Sequence, residues 1–70
     1  MRLLYVVIYE GQAYEVRQDR LTGTMWVVLV SDSEEWSKQE WAQRIDEHNG
    51  VAVIQACAKL RKRARGEAIG

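Results

Sequence analysis

The chain has 70 residues, enough for one domain, and its 10 lysines and arginines balance 10 aspartates and glutamates. A domain this small buries only roughly 60% of its unfolded surface, and its single cysteine excludes an intramolecular disulfide. One cysteine and one histidine are too few for a zinc site, and no apolar run approaches the roughly 20 residues of a membrane span. We therefore expect one domain over residues 1–66, a flexible tail over 67–70, no cofactor, and a soluble cytoplasmic protein.

Three β-strands are expected in the first thirty residues. Residues 2–10 are rich in β-forming side chains, and Gly11 can adopt the positive φ of a tight hairpin turn. Residues 12–18 alternate between apolar and polar side chains, which predicts a strand with one wet face and a wet edge. After a turn that ends at Gly23, residues 24–30 contain an unbroken apolar run, which is typical of a strand covered on both faces. We favour an antiparallel meander; the alternative places strand 1 beside strand 3.

A first helix is predicted from its start signals. Ser37 and Glu40 have the spacing of a capping box, in which each side chain accepts a hydrogen bond from the other's backbone amide. Trp36 and Trp41 flank them at the spacing of a hydrophobic staple. A competing start lies earlier, at Ser31.

The predicted first helix runs to about His48, where Asn49-Gly50 has the composition of a helix C-terminus. Residues 51–65 are predicted to form a second helix, whose apolar face is Val53, Ile54, Cys57 and Leu60. The alternative is a fourth strand over residues 51–55, followed by a shorter helix. The predicted fold is thus α+β, with an antiparallel sheet of three or four strands and two α-helices packed on one face.

Charge is segregated along the second half of the chain. Residues 31–50 are acidic, and the candidate partner-binding residues there are Asp32, Glu34, Glu35 and Trp36. Residues 51–70 are basic, and the candidates for binding nucleic acid or an acidic partner are Lys59, Arg61, Lys62, Arg63 and Arg65. Clustered lysines and arginines attract phosphates. Both sets also have a structural interpretation, since acidic groups stabilise helix N-termini and basic groups stabilise helix C-termini.

The sequence contains no catalytic signature. Its carboxylates lie at predicted helix ends, where exposure is expected and a raised pKa is not, so we expect a protein that is not an enzyme. His48 is expected to be a helix-end residue and Cys57 a small core residue. The aromatic residues of the strands either pack in the core or display a platform for bases, a protein or a second copy; they are Tyr5, Tyr9, Tyr14 and Trp26.

The layout of residues 5–65 resembles that of small phage-encoded anti-CRISPR proteins. The matching features are the hairpin opening Val7-Ile-Tyr-Glu-Gly11, the strand end Val30-Ser-Asp-Ser33, an acidic helix with aromatic residues, Asn49-Gly50, and the helix end Lys59-Leu-Arg-Lys-Arg63. The resemblance implies a non-enzymatic inhibitor that docks on a bacterial defence complex and blocks access of nucleic acid. It implies no role for any individual residue.

The leading functional hypothesis is a small protein-binding module without catalysis, such as a phage-type inhibitor that docks on a bacterial protein or nucleoprotein complex. The alternative is a small DNA- or RNA-binding accessory protein that uses the basic C-terminal helix. A homodimer through an open sheet face is a further candidate, and no membrane partner is expected.

Overall fold

The computed structural model describes residues 2–30 and 42–66. Its elements, in chain order, are β1 (Arg2–Tyr9), β2 (Gln12–Gln18), β3 (Met25–Leu29), β4 (Ala42–Ile45) and α1 (Gly50–Gly66). The strands form one antiparallel sheet in the order β1-β2-β3-β4, so each strand lies beside its neighbour in sequence. The predicted α+β class and meander are confirmed. The prediction of two helices is wrong in part, because the described ranges contain four strands and one helix.

A tight turn joins β1 to β2. Its two central residues, Glu10 and Gly11, have φ angles of 48° and 79°. Positive φ at both positions is the property of a type I′ turn, which matches the twist of the two strands. The predicted hairpin is therefore confirmed, but the predicted wet edge of β2 is wrong, because β2 pairs with both β1 and β3. The polar face of β2 instead carries a partly buried ion pair, with 2.6 Å between Arg17 Nη2 and Glu15 Oε1.

The predicted turn before β3 is also confirmed. Gly23 has a φ of 77°, and its amide donates a hydrogen bond of 2.9 Å to the carbonyl of Asp19. Three consecutive residues of β3 are buried, namely Val27, Val28 and Leu29. Because neighbouring side chains of a strand point to opposite faces, consecutive burial confirms the prediction that β3 is covered on both faces.

The predicted helix that ends at His48 is wrong over the part of it that the structure describes. Ala42–Ile45 is the strand β4, in which Ile45 pairs with Met25 and Ala42 pairs with Val28. As a strand, this segment satisfies the backbone groups on the outer side of β3 and buries Ile45 in the core. These tertiary contacts override the local helical spacing, which is a weak preference. The predicted helix starts, at residues 31 and 37–41, lie outside the described residues.

The sequence Asn49-Gly50 begins a helix and does not end one. The side-chain oxygen of Asn49 accepts a hydrogen bond of 2.8 Å from the amide of Ala52, and its carbonyl accepts one of 3.1 Å from the amide of Val53. Asparagine is among the preferred N-cap residues. The helix predicted over residues 51–65 is confirmed, and the alternative strand over residues 51–55 is wrong.

The core lies between one face of the sheet and α1. It consists of Tyr14, Val16, Val27, Leu29 and Ile45 from the sheet and Val53, Ala56, Cys57 and Leu60 from the helix. Cys57 is a buried core residue, as predicted, whereas Ile54 is 43% exposed and does not face inward. The helix packs mainly over β3 and β4 and makes fewer contacts with β1. The β1 side of the sheet is consequently less covered by α1 than the β4 side.

Candidate functional site

The structure separates the predicted site residues. Asp32, Glu34, Glu35 and Trp36 lie outside the described residues, so their role in binding a partner stays a prediction. The acidic residues that follow β4 are exposed, and Asp46 Oδ1 lies 3.1 Å from Arg44 Nη2. Both side chains of this pair are mostly in solvent, where an ion pair contributes little free energy.

The basic run of α1 does not form one face. Arg61 points to the β1 side of the helix, where its Nε lies 2.9 Å from Glu10 Oε2. Arg63 points to the β4 side, where its Nη2 donates a hydrogen bond of 3.1 Å to Gln43 Oε1. The remaining basic residues, Lys59, Lys62 and Arg65, are exposed. Two of the five predicted residues thus hold the helix against opposite sides of the sheet.

The aromatic residues of the strands do not form one platform. Tyr14 is fully buried in the core, and Tyr9 packs edge-on against it with 6.3 Å between ring centroids. Tyr5 lies on the same side of the sheet as α1, because it pairs with the core residue Val16. Trp26 lies on the opposite side, since it is adjacent to Val27, which faces the helix.

Among the residues that the structure describes, exposed large apolar side chains are most numerous on β1. Leu3, Val6 and Ile8 are 47%, 54% and 68% exposed, and all three point away from α1. On the helix side of the same strand, Tyr5 is also exposed. No residue from Leu3 to Tyr9 carries a charge. Exposed apolar side chains grouped along one strand are typical of an interaction site.

Among the described strands, none pairs with the outer edge of β1. The carbonyl of Ala13 accepts a hydrogen bond of 3.2 Å from the amide of Val30, so the backbone groups of Ala13 point to β3 and not to β1. Ile8, which lies opposite Ala13, therefore directs its own N–H and C=O outward, and the alternation of an antiparallel ladder does the same for Val6. Within the described ranges, β1 has β2 as its one strand neighbour. We call the Tyr5–Tyr9 segment of β1 the open edge.

Contacts with α1 and with the segment before it hold the open edge in place at both ends. At the hairpin turn, Arg61 binds the Glu10 carboxylate, and its Nη1 also lies 3.4 Å from the Glu10 carbonyl. At the other end, the ring of His48 stacks on Tyr5 with 5.7 Å between centroids, and His48 Nε2 lies 2.7 Å from the Tyr5 hydroxyl. His48 is thus an exposed residue before α1, not the predicted end of a helix. An edge fixed in this way loses little conformational freedom when it binds.

The opposite edge strand has the features that protect a sheet from pairing. β4 has four residues, and two of them are Gln43 and Arg44. Short length and charged side chains are two ways in which natural proteins blunt an edge. β1 is twice as long and has one charged residue, Arg2, at its start. Sequence reasoning missed this site, although the signal was present: both faces of the first strand are apolar.

The described residues also limit what chemistry the structure supports. Burial raises the pKa of the Cys57 thiol, and burial, followed by the proximity of Cys57, raises the pKa of Tyr14. Both groups stay protonated at neutral pH and lie inside the core. Over residues 2–30 and 42–66, no three His, Cys, Asp or Glu side chains are grouped so that they could hold a metal ion. The same residues include no helix of the length and apolarity needed to cross a membrane.

Comparisons with known proteins give no relative: no family model, no curated protein and no solved structure matches the chain.

Proposed function

We propose that the chain is a non-enzymatic protein-binding module and that the open edge of β1 is its docking surface. The observation that carries this proposal is an apolar edge strand with outward backbone groups and exposed side chains on both of its faces. Addition of a strand to such an edge is a common mode of protein recognition, in which backbone hydrogen bonds supply affinity and alternate side chains supply specificity. The exposed Val6 and Ile8 would supply that specificity here.

The nucleic-acid alternative has less support. A DNA- or RNA-binding role for α1 needs its cations on one surface, but Arg61 and Arg63 are engaged on opposite sides of the helix. The narrower hypothesis of an anti-CRISPR-type inhibitor also stays a prediction. The layout on which it was based included a helix up to His48, where the structure has β4.

Site-specific photocrosslinking in cells tests the proposal without knowledge of the partner. A photoreactive amino acid would replace Ile8 in one variant and Val51 in another, since the two side chains are 68% and 67% exposed. We expect protein adducts from position 8 at a yield several times that from position 51. Equal yields, or no adducts from position 8, would refute a docking surface at β1. The masses of the adducts would also reveal whether the partner is another protein or a second copy.

A further inference from the structure

We propose that the open edge binds a second copy of the same chain, with β1 antiparallel to β1 around a two-fold axis. This inference rests on the proposed function, because it names the partner of the same edge. The dimer would contain one continuous sheet of eight described strands. Its interface would combine backbone hydrogen bonds between the edges with apolar contacts on both faces of the sheet.

The backbone permits one register in particular. The pairing of β1 with β2 shifts by one residue between Leu3 and Tyr5, and such a bulge bends a strand and interrupts regular pairing. Within β1, an uninterrupted run of regular strand geometry is thus found in the open edge, Tyr5–Tyr9. A two-fold axis at Val7 is the symmetric arrangement that uses all five of these residues. An axis at Val6 would instead place the bulge inside the interface.

This register satisfies the outward backbone groups. Val6 lies opposite the partner's Ile8, and Ile8 lies opposite the partner's Val6. Since Val6 and Ile8 direct their N–H and C=O groups outward, the two pairs exchange four backbone hydrogen bonds. Val7, whose backbone groups face β2, meets the partner's Val7 as a pair without hydrogen bonds. All outward groups of both open edges therefore find partners.

The side chains are self-complementary in the same register. On the face opposite α1, Val6 and Ile8 of both copies form one apolar strip, in which lateral contact removes part of their exposed surface from water. On the helix face, Tyr5 meets the partner's Tyr9, and aromatic cross-strand pairs are favourable. The segment carries no charge, so no like charges oppose each other across the axis. The helix packs mainly over β3 and β4 and makes fewer contacts with β1.

The interface is small, so the dimer should be weak. Stable protein complexes bury about 1,200–2,000 Å², and one pair of short strands buries less. We expect a dissociation constant of about 1–100 μM, in the range of transient complexes. Sedimentation velocity over about 1–500 μM should then show the weight-average mass rise from 8.1 kDa toward twice that value.

Substitutions at the edge test both the site and the register. Ile8→Lys and Val6→Lys each place a charge opposite an apolar residue of the partner, and either one should weaken the dimer by at least tenfold. Val51→Lys, at an equally exposed position on α1, should leave it unchanged. The double variant Val6→Lys/Ile8→Glu sets opposite charges across both pairs and should restore dimerisation. Circular dichroism and thermal melting would confirm that each variant is folded.

Hydrogen exchange supplies a measurement that does not depend on substitutions. The amides of Val6 and Ile8 should exchange rapidly in dilute samples and become at least tenfold slower at high concentration. The amide of Val7 already faces β2 and should change less. A monomer at about 500 μM, a dimer insensitive to Ile8→Lys, or a double variant without recovery would each overturn this inference. A monomer that crosslinks to other proteins from position 8 would leave the proposed function intact, whereas a monomer without such adducts would refute both.

Discussion

Replacement of Tyr14 by phenylalanine should stabilise the protein. The Tyr14 side chain is fully buried between the sheet and α1, and its hydroxyl has no hydrogen-bond partner among the described residues. A buried hydroxyl without a partner lowers the free energy of unfolding by about 1–3 kcal/mol, because it loses its hydrogen bonds to water and forms none in the protein. Tyr14→Phe removes that hydroxyl and keeps the ring, including its edge-on contact with Tyr9.

We expect Tyr14→Phe to raise the free energy of unfolding by about 1–2 kcal/mol, which is the lower part of the range for a buried hydroxyl without a partner. In a domain of this size, each 1 kcal/mol shifts the Tm by roughly 4–8 °C, so the Tm should rise by about 4–16 °C. Thermal melting followed by circular dichroism measures the shift, and urea titration measures the free energy directly.

A second tyrosine of the same chain provides the matched control. The hydroxyl of Tyr5 is exposed and lies 2.7 Å from His48 Nε2, so Tyr5→Phe should cost about 0.5–1 kcal/mol and not stabilise. If Tyr14→Phe instead lowers stability by 1 kcal/mol or more, the hydroxyl has a partner in solution and the reasoning is wrong.

The pH dependence of Tyr14 provides an independent check on its burial. Desolvation, and then the nearby Cys57, raises the pKa of Tyr14 above its ordinary value of 10.0. The unfolded chain therefore releases this proton at a lower pH than the folded chain, and stability is lost as the pH rises above about 10. The stability advantage of Tyr14→Phe should consequently grow in that range. An advantage that is constant from pH 8 to pH 11 would contradict a raised pKa.

Two further predictions concern the backbone and the buried thiol. Gly11→Ala should cost about 1 kcal/mol, because Gly11 has a φ of 79°; Gly50→Ala, in a helix and with nothing within 4 Å of the added Cβ, should be neutral or stabilising. Urea titration measures both, and equal effects would contradict the role of φ. Burial raises the pKa of Cys57, so the stability of the wild type should fall above about pH 9, by at most about 1.4 kcal/mol per pH unit. Cys57→Ala should reduce that slope, and an unchanged slope would exclude Cys57 as its cause.

The first thirty residues could be predicted well from the sequence because their signals are local. Glycine at the left-handed positions of two turns marked the ends of the strands, and both glycines have the expected positive φ. The unbroken apolar run of β3 indicated burial on both faces, which Val27 and Val28 confirm. Turn chemistry and strand patterning act over a few residues, so they need no knowledge of the tertiary structure.

The segment after residue 41 could not be predicted in this way. A strand of four residues is too short for its periodicity to be distinguished from that of a helix. Ile45 fits the apolar stripe of a helix as well as the inward face of a strand. What decided its structure was the free edge of β3, which is not a local property. The same ambiguity applies to Asn49, because asparagine followed by glycine occurs at helix ends and asparagine is also a preferred N-cap. The hydrogen bond from Ala52 identifies it as the cap.

The candidate site illustrates a different limit. Charge patterning indicated sites in the acidic and basic segments, yet the proposed site lies in the part of β1, Leu3 to Tyr9, that carries no charge. Apolar residues on both faces are typical of a strand in the interior of a sheet, and β1 has that composition: Leu3, Val6 and Ile8 on one face, Tyr5 and Val7 on the other. The topology places β1 at an edge. An apolar composition at a sheet edge supports the proposed binding of another strand, since charged side chains are one way in which natural proteins prevent edge pairing. Because β4 at the opposite edge carries a charge and a polar amide, the uncharged and regularly paired segment Tyr5–Tyr9 is a specific feature of β1.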